Sequence, residues 1–209
     1  SLSNQASALI YMGRQEEALK QLFEAERIYK KQGKPLTLGT TYENIAAIHA
    51  DLGYDSLVVA YTRKAIRIYK RAGSQTYLAW AYADLGVAFK QLARYDSALH
   101  YYNHSVDLAK VQQNTYLLAK NYLNMGNLYD EQGQDKQAVA SYKQSLALSK
   151  QAGIAYGIYL NYLNLGQRYL EDSLAEKSIV HLEQAQAYAP RFQGPDNNVA
   201  LLENLYQAH

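Results

Sequence analysis

Residues 82–105 read YADLGVAFKQLARYDSALHYYNHS, and residues 122–145, a step of 40 further on, read YLNMGNLYDEQGQDKQAVASYKQS. Both open on tyrosine, carry Asp84 or Asn124 two places later and Gly86 or Gly126 at the fifth place. After an intervening turn, Ala98, Tyr102 and Ser105 recur as Ala138, Tyr142 and Ser145. Inside each half the apolar spacing is helical: Tyr122, Met125, Gly126 and Tyr129 share one face, and so do Ala138, Tyr142, Ser145 and Leu146. No stretch alternates convincingly with period two, so the segment reads as a helical hairpin that is copied along the chain.

Working outward, the same step of 40 links Tyr42, Tyr82, Tyr122 and Tyr162, and with them Asn44, Asp84, Asn124 and Asn164. Small residues follow it too, from Ala6 and Ala46 to Gly86, Gly126 and Gly166, and from Ala25 and Ala65 to Ser105, Ser145 and Ala185. Small side chains at fixed places mark points where two helices approach closely. Gly13, Gly53 and Gly133 share a third register, interrupted by Ala93 and Ser173, and Gly33, Gly73 and Gly153 share a fourth. These are turn positions, where glycine takes a positive φ at little cost. Each unit is therefore predicted as helix A, a short turn, helix B, and a loop of several residues leading to the next helix A. Neither helix buries its apolar face alone, so the hairpins stack in sequence. One array is expected over residues 1–209, with repeats at about 1–33, 34–73, 74–113, 114–153 and 154–193.

Adding 40 to Tyr162, Asn164 and Leu165 lands on Leu202, Asn204 and Leu205, which makes the tail 194–209 helix A of a sixth repeat. The rival reading is a capping helix from Asp196 to Gln207, started by Pro195. At the other end Leu2, Ser3 and Asn4 stand where Tyr42, Glu43 and Asn44 stand, without room for a first turn, as expected of a piece of a longer array.

Composition agrees with an ordered helical chain: 48% of the 209 residues are hydrophobic, and prolines number only three against 21 tyrosines. A net charge of +2 removes the general electrostatic argument for nucleic acid, and no nucleic-acid partner is expected. Without cysteine, disulfides, thiol nucleophiles and Cys-based zinc sites are excluded, while either redox compartment stays open. Apolar runs are only a few residues long, so no membrane contact is expected of this segment.

The run from Tyr82 to Gly86 with Phe89, then Ala98, Tyr102 and Ser105, resembles the tetratricopeptide repeat, whose pattern is an aromatic, Leu-Gly, Tyr, then Ala and an aromatic. The resemblance covers essentially the whole chain, and Pro190 fits the family's helix-ending proline where Lys110 and Lys150 replace it. The 40-residue period is longer than the usual 34 and resembles the longer-helix variant. The family implies an all-α, right-handed superhelical solenoid of antiparallel helix pairs, here about five repeats and a C-terminal helix. It also implies a concave groove lined mainly by the A helices.

That implication places Asn4, Asn44, Asp84, Asn124, Asn164 and Asn204 along the groove. An amide both donates and accepts, so such a ladder can pair with the main chain of an extended peptide. The alternative is that these residues serve helix packing. Trp80, Lys90, Lys120, Asn127 and Gln167 are further groove candidates, Trp80 as an aromatic anchor or as a packing residue. With Glu43, Ala47, Asp51, Ala83, Val87, Gln91, Leu123, Asp130, Glu131, Leu160, Leu163, Leu170 and Glu171, the groove tilts acidic and becomes more apolar toward repeat five. A basic or amphipathic peptide or protein segment suits it. The two-carboxylate clamp of chaperone-binding relatives needs lysine just before the ladder residue, where this chain has Ser3, Glu43, Ala83, Leu123 and Leu163.

Other constellations are weaker. His100 and His104 lie four apart without a third ligand, and Arg63, Lys64, Arg67, Lys70 and Arg71 read as a solvated helix face. No phosphate loop, dinucleotide fingerprint or nucleophile elbow is present, so no catalytic residue, metal or cofactor is expected. The expected function is a peptide- or protein-binding scaffold. The alternatives are a regulatory module of a larger bacterial signalling protein with flanking domains, and a self-associating structural scaffold.

Overall fold

The computed structural model describes residues 9, 12–189 and 203–208. Its helices are α1 (Gln15–Lys31), α2 (Pro35–Asp51), α3 (Asp55–Arg71), α4 (Gln75–Gln91), α5 (Tyr95–Val111), α6 (Thr115–Glu131), α7 (Asp135–Gln151), α8 (Ala155–Glu171) and α9 (Ala175–Tyr188). The first eight are each 17 residues long. Every connector between these helices has three residues, so the helix starts fall in even steps from Gln15 and Pro35 to Ala155 and Ala175. The chain divides into two compact units, Ser1–Leu108 and Ala109–His209, with the boundary inside α5.

The connectors explain that regularity. The middle residue of each is left-handed: Gly33, Gly53, Gly73, Gly133 and Gly153, with Ala93, Gln113 and Ser173 in the same conformation at φ 52, 52 and 59°. A left-handed residue ends the helix, and the next N–H folds back to the carbonyl five residues earlier, as Tyr54 to His49 and Gln134 to Tyr129, both at 2.8 Å. The same third residue then accepts the first bond of the following helix, Leu78 N donating to Ser74 O at 3.1 Å. One residue thus closes one helix and opens the next. The loop of several residues expected between helix B and the next helix A is absent among the described residues: B-to-A connectors are as short as A-to-B turns. The reason is that both use this single cap geometry.

Packing follows the small-residue registers. A Cβ on Gly86 would sit 2.6 Å from the Tyr102 ring, one on Gly126 2.5 Å from the Tyr142 ring, and one on Gly166 2.6 Å from Leu182. Glycine is required where helix B presses a large side chain onto helix A, and alanine there would force the ring aside at roughly 1–3 kcal/mol. Where helix B offers Thr62 instead, the same register of helix A holds Ala46. Further along the pair, Ser105 and Ser145 donate to the carbonyls of Ala79 and Ala119 at 2.7 and 2.8 Å. As the position on helix A falls from 86 to 79, its partner on helix B rises from 102 to 105, so the pair is antiparallel.

Three of the four ladder tyrosines are core, Tyr42, Tyr82 and Tyr162 being 4, 7 and 9% exposed, while Tyr122 is half-buried. Lys70 and Lys150, each near the end of a B helix, lie over the rings of Tyr82 and Tyr162 at 5.7 and 4.9 Å, where cation–π attraction adds to burial. Residues 203–208 are helical, and Leu205 and Ala208 join a cluster with Ile158, Tyr159 and Leu182. Leu2, Ser3, Asn4, Ala6, Pro190, Pro195, Asp196 and Leu202 lie outside the described residues.

Candidate functional site

In the first unit the groove candidates sit on α2 and α4. Asn44, Trp80, Asp84 and Lys90 are half-buried, and Ala83, expected in the groove, is instead fully buried at 0% exposed because helix packing takes it up. Glu43 adjoins this set. Its Oε2 accepts the Tyr69 hydroxyl at 2.8 Å, while its Oε1 is buried with no partner. Burial, opposed by the Tyr69 bond and assisted by the Asp84 charge, pushes the Glu43 carboxyl up to about 7. A carboxyl in this position is poised to change charge near neutrality.

In the second unit the candidates sit on α6 and α8, which lie side by side and parallel. Asn127 bonds residue 164 and Asp130 meets residue 168, so both positions advance together. Asn127 Oδ1 accepts two donors, the Tyr142 hydroxyl at 2.9 Å and Asn164 Nδ2 at 3.0 Å. The Asn164 amide is thereby engaged inside the fold. Asn124 differs: its Nδ2 is buried with no partner. Gln167 is exposed, and its Nε2 stands 3.5 Å from Glu171, too long for a firm bond. Asn204 is half-buried in the helical segment 203–208, and Asn4 lies outside the described residues.

One residue that the sequence did not single out organises the acidic end of this face. Arg168 reaches Glu171 at 2.8 Å and Asp135 at 3.1 Å, with Asp130 and Asp172 each at 3.5 Å. Four carboxylates around one guanidinium leave local negative charge in excess. An arginine within a helix-face repeat carries no periodic signal, so only the fold reveals its partners.

Toward the opposite ends of α6 and α8 a cleft of about 200 Å³ opens, lined by Tyr116, Lys120 and Leu123 of α6, Ser149 of α7, and Tyr156 and Leu160 of α8. Lys120, Leu123 and Leu160 are among the expected groove residues. Ser149 is 1% exposed and its hydroxyl has no partner.

Away from these faces, His100 and His104 are exposed with rings 4.5 Å apart, and His104 stacks on Tyr82 at 5.3 Å. Among the described residues no group of three or more His, Asp or Glu is placed to hold a metal ion. The basic stretch on α3 is partly used in packing, Arg63 over Phe89 at 5.4 Å and Lys64 over Tyr61 at 4.2 Å. No described helix is long and apolar enough to cross a membrane.

Family models of the tetratricopeptide repeat match residues 81–112 and 122–156. Among solved structures, BtubC (BKLC) from P. vanneervenii superposes with a TM-score of 0.80 at 20% identity, covering 93% of this chain and 81% of that one. Aspartyl phosphate phosphatase F from Bacillus subtilis gives 0.86 at 15% identity, covering 99% and 53%. The apo quorum sensor NprR from B. thuringiensis gives 0.78 at 20%, covering 98% and 56%. The chain thus spans about half the length of the last two, and at these identities the likeness is one of fold. No curated protein sequence matches the chain.

Proposed function

Since the chain is a tetratricopeptide repeat protein, we propose that it is a binding scaffold that holds an extended peptide or protein segment against the exposed faces of its A helices. The observation that carries this reading is in the second unit. There Asn124 Nδ2, buried and without a partner, stands on the same helix as the Lys120 and Leu123 walls of an open cleft. Polar atoms left unpaired in a fold are costly unless something else pairs them. An extended main chain supplies both a carbonyl and an N–H at each residue. The acidic surplus around Arg168 in the second unit favours a basic or amphipathic segment over an acidic one.

The test is selection from a random dodecapeptide display library on the immobilised chain, followed by affinities for the selected peptides. Asn124→Ala is expected to weaken them about tenfold, the scale of one lost hydrogen bond to a buried amide, with the melting temperature unchanged. A library that yields no peptide, or peptides indifferent both to Asn124→Ala and to Glu171→Lys, sinks the reading. A second reading rests on coverage: the chain matches about half of a quorum sensor and of a phosphatase. It is therefore also proposed as the regulatory module of a longer signalling protein, which assays of the chain with its flanking sequence would examine.

A further inference from the structure

The repeat is regular enough that a departure from it in one place is informative. The last turn of helix B and the first turn of the next helix A share a register in which residues 69, 109 and 149 face residues 77, 117 and 157. In the first unit Tyr69 and Tyr77 fill it, their rings stacked at 5.1 Å with planes 19° apart. In the second unit it holds first Ala109 and Leu117, both 0% exposed. Between α7 and α8 it holds Ser149 and Gly157. Here the small side chain of Ser149 lies against the glycine, so that a Cβ on Gly157 would come within 2.7 Å of Ser149 Oγ. The volume that two rings occupy elsewhere is not refilled, and the cleft of about 200 Å³ lies at this junction.

Its lining matches a ring with one polar edge. Tyr116 and Tyr156, 53 and 46% exposed and one repeat apart, stand at the mouth as aromatic faces. Leu123 and Leu160 make an apolar wall, and Lys120 brings positive charge that attracts a π face. Ser149 is part of the cleft lining, and its buried hydroxyl has no hydrogen bond, although a helical serine ordinarily turns back to the preceding turn's carbonyl. It offers a donor and an acceptor to a group inside the cleft.

We propose that the cleft between α6, α7 and α8 receives one aromatic side chain of the bound segment, a phenol in preference to a bare phenyl, with Ser149 as its hydrogen-bond partner. The inference rests on the scaffold reading above and adds the residue class that anchors the segment. The bound ring replaces the one that this register lacks.

The probe is p-cresol, the side-chain analogue of tyrosine, titrated into the isotopically labelled chain and followed by NMR. Saturable shifts at the Gly157 amide and at the Tyr116 and Tyr156 rings are expected, with a Kd on the order of 1 mM for so small a ligand. Toluene is expected to bind several-fold more weakly, and Ser149→Ala to erase that preference. Two variants guard against misfolding. Tyr116→Ala with Tyr156→Ala removes two half-exposed rings, giving up the Tyr156–Tyr159 stack at 6.2 Å, and should weaken p-cresol at least fivefold at an unchanged circular-dichroism spectrum. Ser149→Ala with Gly157→Leu copies the Ala109 and Leu117 pair, still leaves a Cβ at 157 within 3.3 Å of that at 149, and should abolish binding at an unchanged circular-dichroism spectrum. No saturable shift, or equal shifts from 3-methylbutanol, overturns the proposal. Selected peptides that bind without an enriched aromatic residue, and equally well to the filled variant, overturn the pocket alone. A library without binders overturns the reading beneath it.

Discussion

Glu43 is a residue whose chemistry its position in the repeat does not announce. Its folded carboxyl titrates at about 7 against an ordinary value of 4.5, so the folded state binds the proton more tightly than the unfolded chain. Its stabilising contribution is complete below about pH 4.5, declines as pH rises to about 7, and is gone above that. The difference amounts to at most about 3 kcal/mol. Glu43→Gln keeps an acceptor for the Tyr69 hydroxyl and removes the titration. Urea midpoints at pH 4.5 and pH 8 should therefore separate less in the variant than in the parent, with the gain confined to pH 8. Identical pH slopes would show that the carboxyl is solvated and unperturbed. None of this was legible in the sequence, where Glu43 counted only as one acid among several. Its character comes from burial in the packed fold, which the bond from Tyr69, 26 residues away, offsets only in part.

At the scale of the element, the connectors hold the clearest opportunity for change. Ala93, Gln113 and Ser173 occupy the left-handed position that glycine fills in the other connectors, and an L side chain there costs about 1 kcal/mol. Replacing each by glycine should stabilise the chain by up to that amount, less the entropy glycine adds to the unfolded state. A denaturant series on the three single variants and the triple checks both sign and additivity, and a loss of stability at any site would contradict the assigned geometry. The turns themselves were readable, since Gly33, Gly53, Gly73, Gly133 and Gly153 recur at fixed steps and Ala93 and Ser173 mark the interruptions. Connector length was not: the residues beside the left-handed position range from Gln132 and Gln134 to Ala152 and Ile154, so composition does not tell a three-residue link from a longer one. Asn164 shows the same limit at the candidate site. Its register was plain, yet its bond to Asn127 joins positions 37 residues apart and depends on how their helices lie together.

For the molecule as a whole, side-chain bonds among the described residues join neighbouring repeats, as across the 38 residues from Asp130 to Arg168, about one repeat. Stability is then a sum of neighbouring terms, and damage stays local. Leu182 is 0% exposed and lies against Gly166, so Leu182→Ala should cost roughly 2–5 kcal/mol. Hydrogen exchange should show that cost as lost protection in α8 and α9, with α2 to α4 little changed. A uniform loss along the chain would mean that it unfolds as one cooperative block. Periodicity made this architecture visible in advance because it depends only on nearest neighbours. The cleft at Gly157 was visible only as an exception, a glycine where the register holds Tyr77 and Leu117, and an exception acquires meaning once the regular case is known in three dimensions.

The identical three-residue connectors have a consequence for how such a gene can change length. Helix starts recur in one even step, so removal of a single helix with its connector would leave every junction intact. It would nevertheless reverse the direction of all that follows and set a glycine-bearing helix against another of its kind, with no ring to fill the space. Removal or duplication of a whole helix pair preserves direction and partner together. Recombination in such a gene works under a frame of two helices, as translation works under a frame of three bases, and only changes that respect it leave a chain that folds.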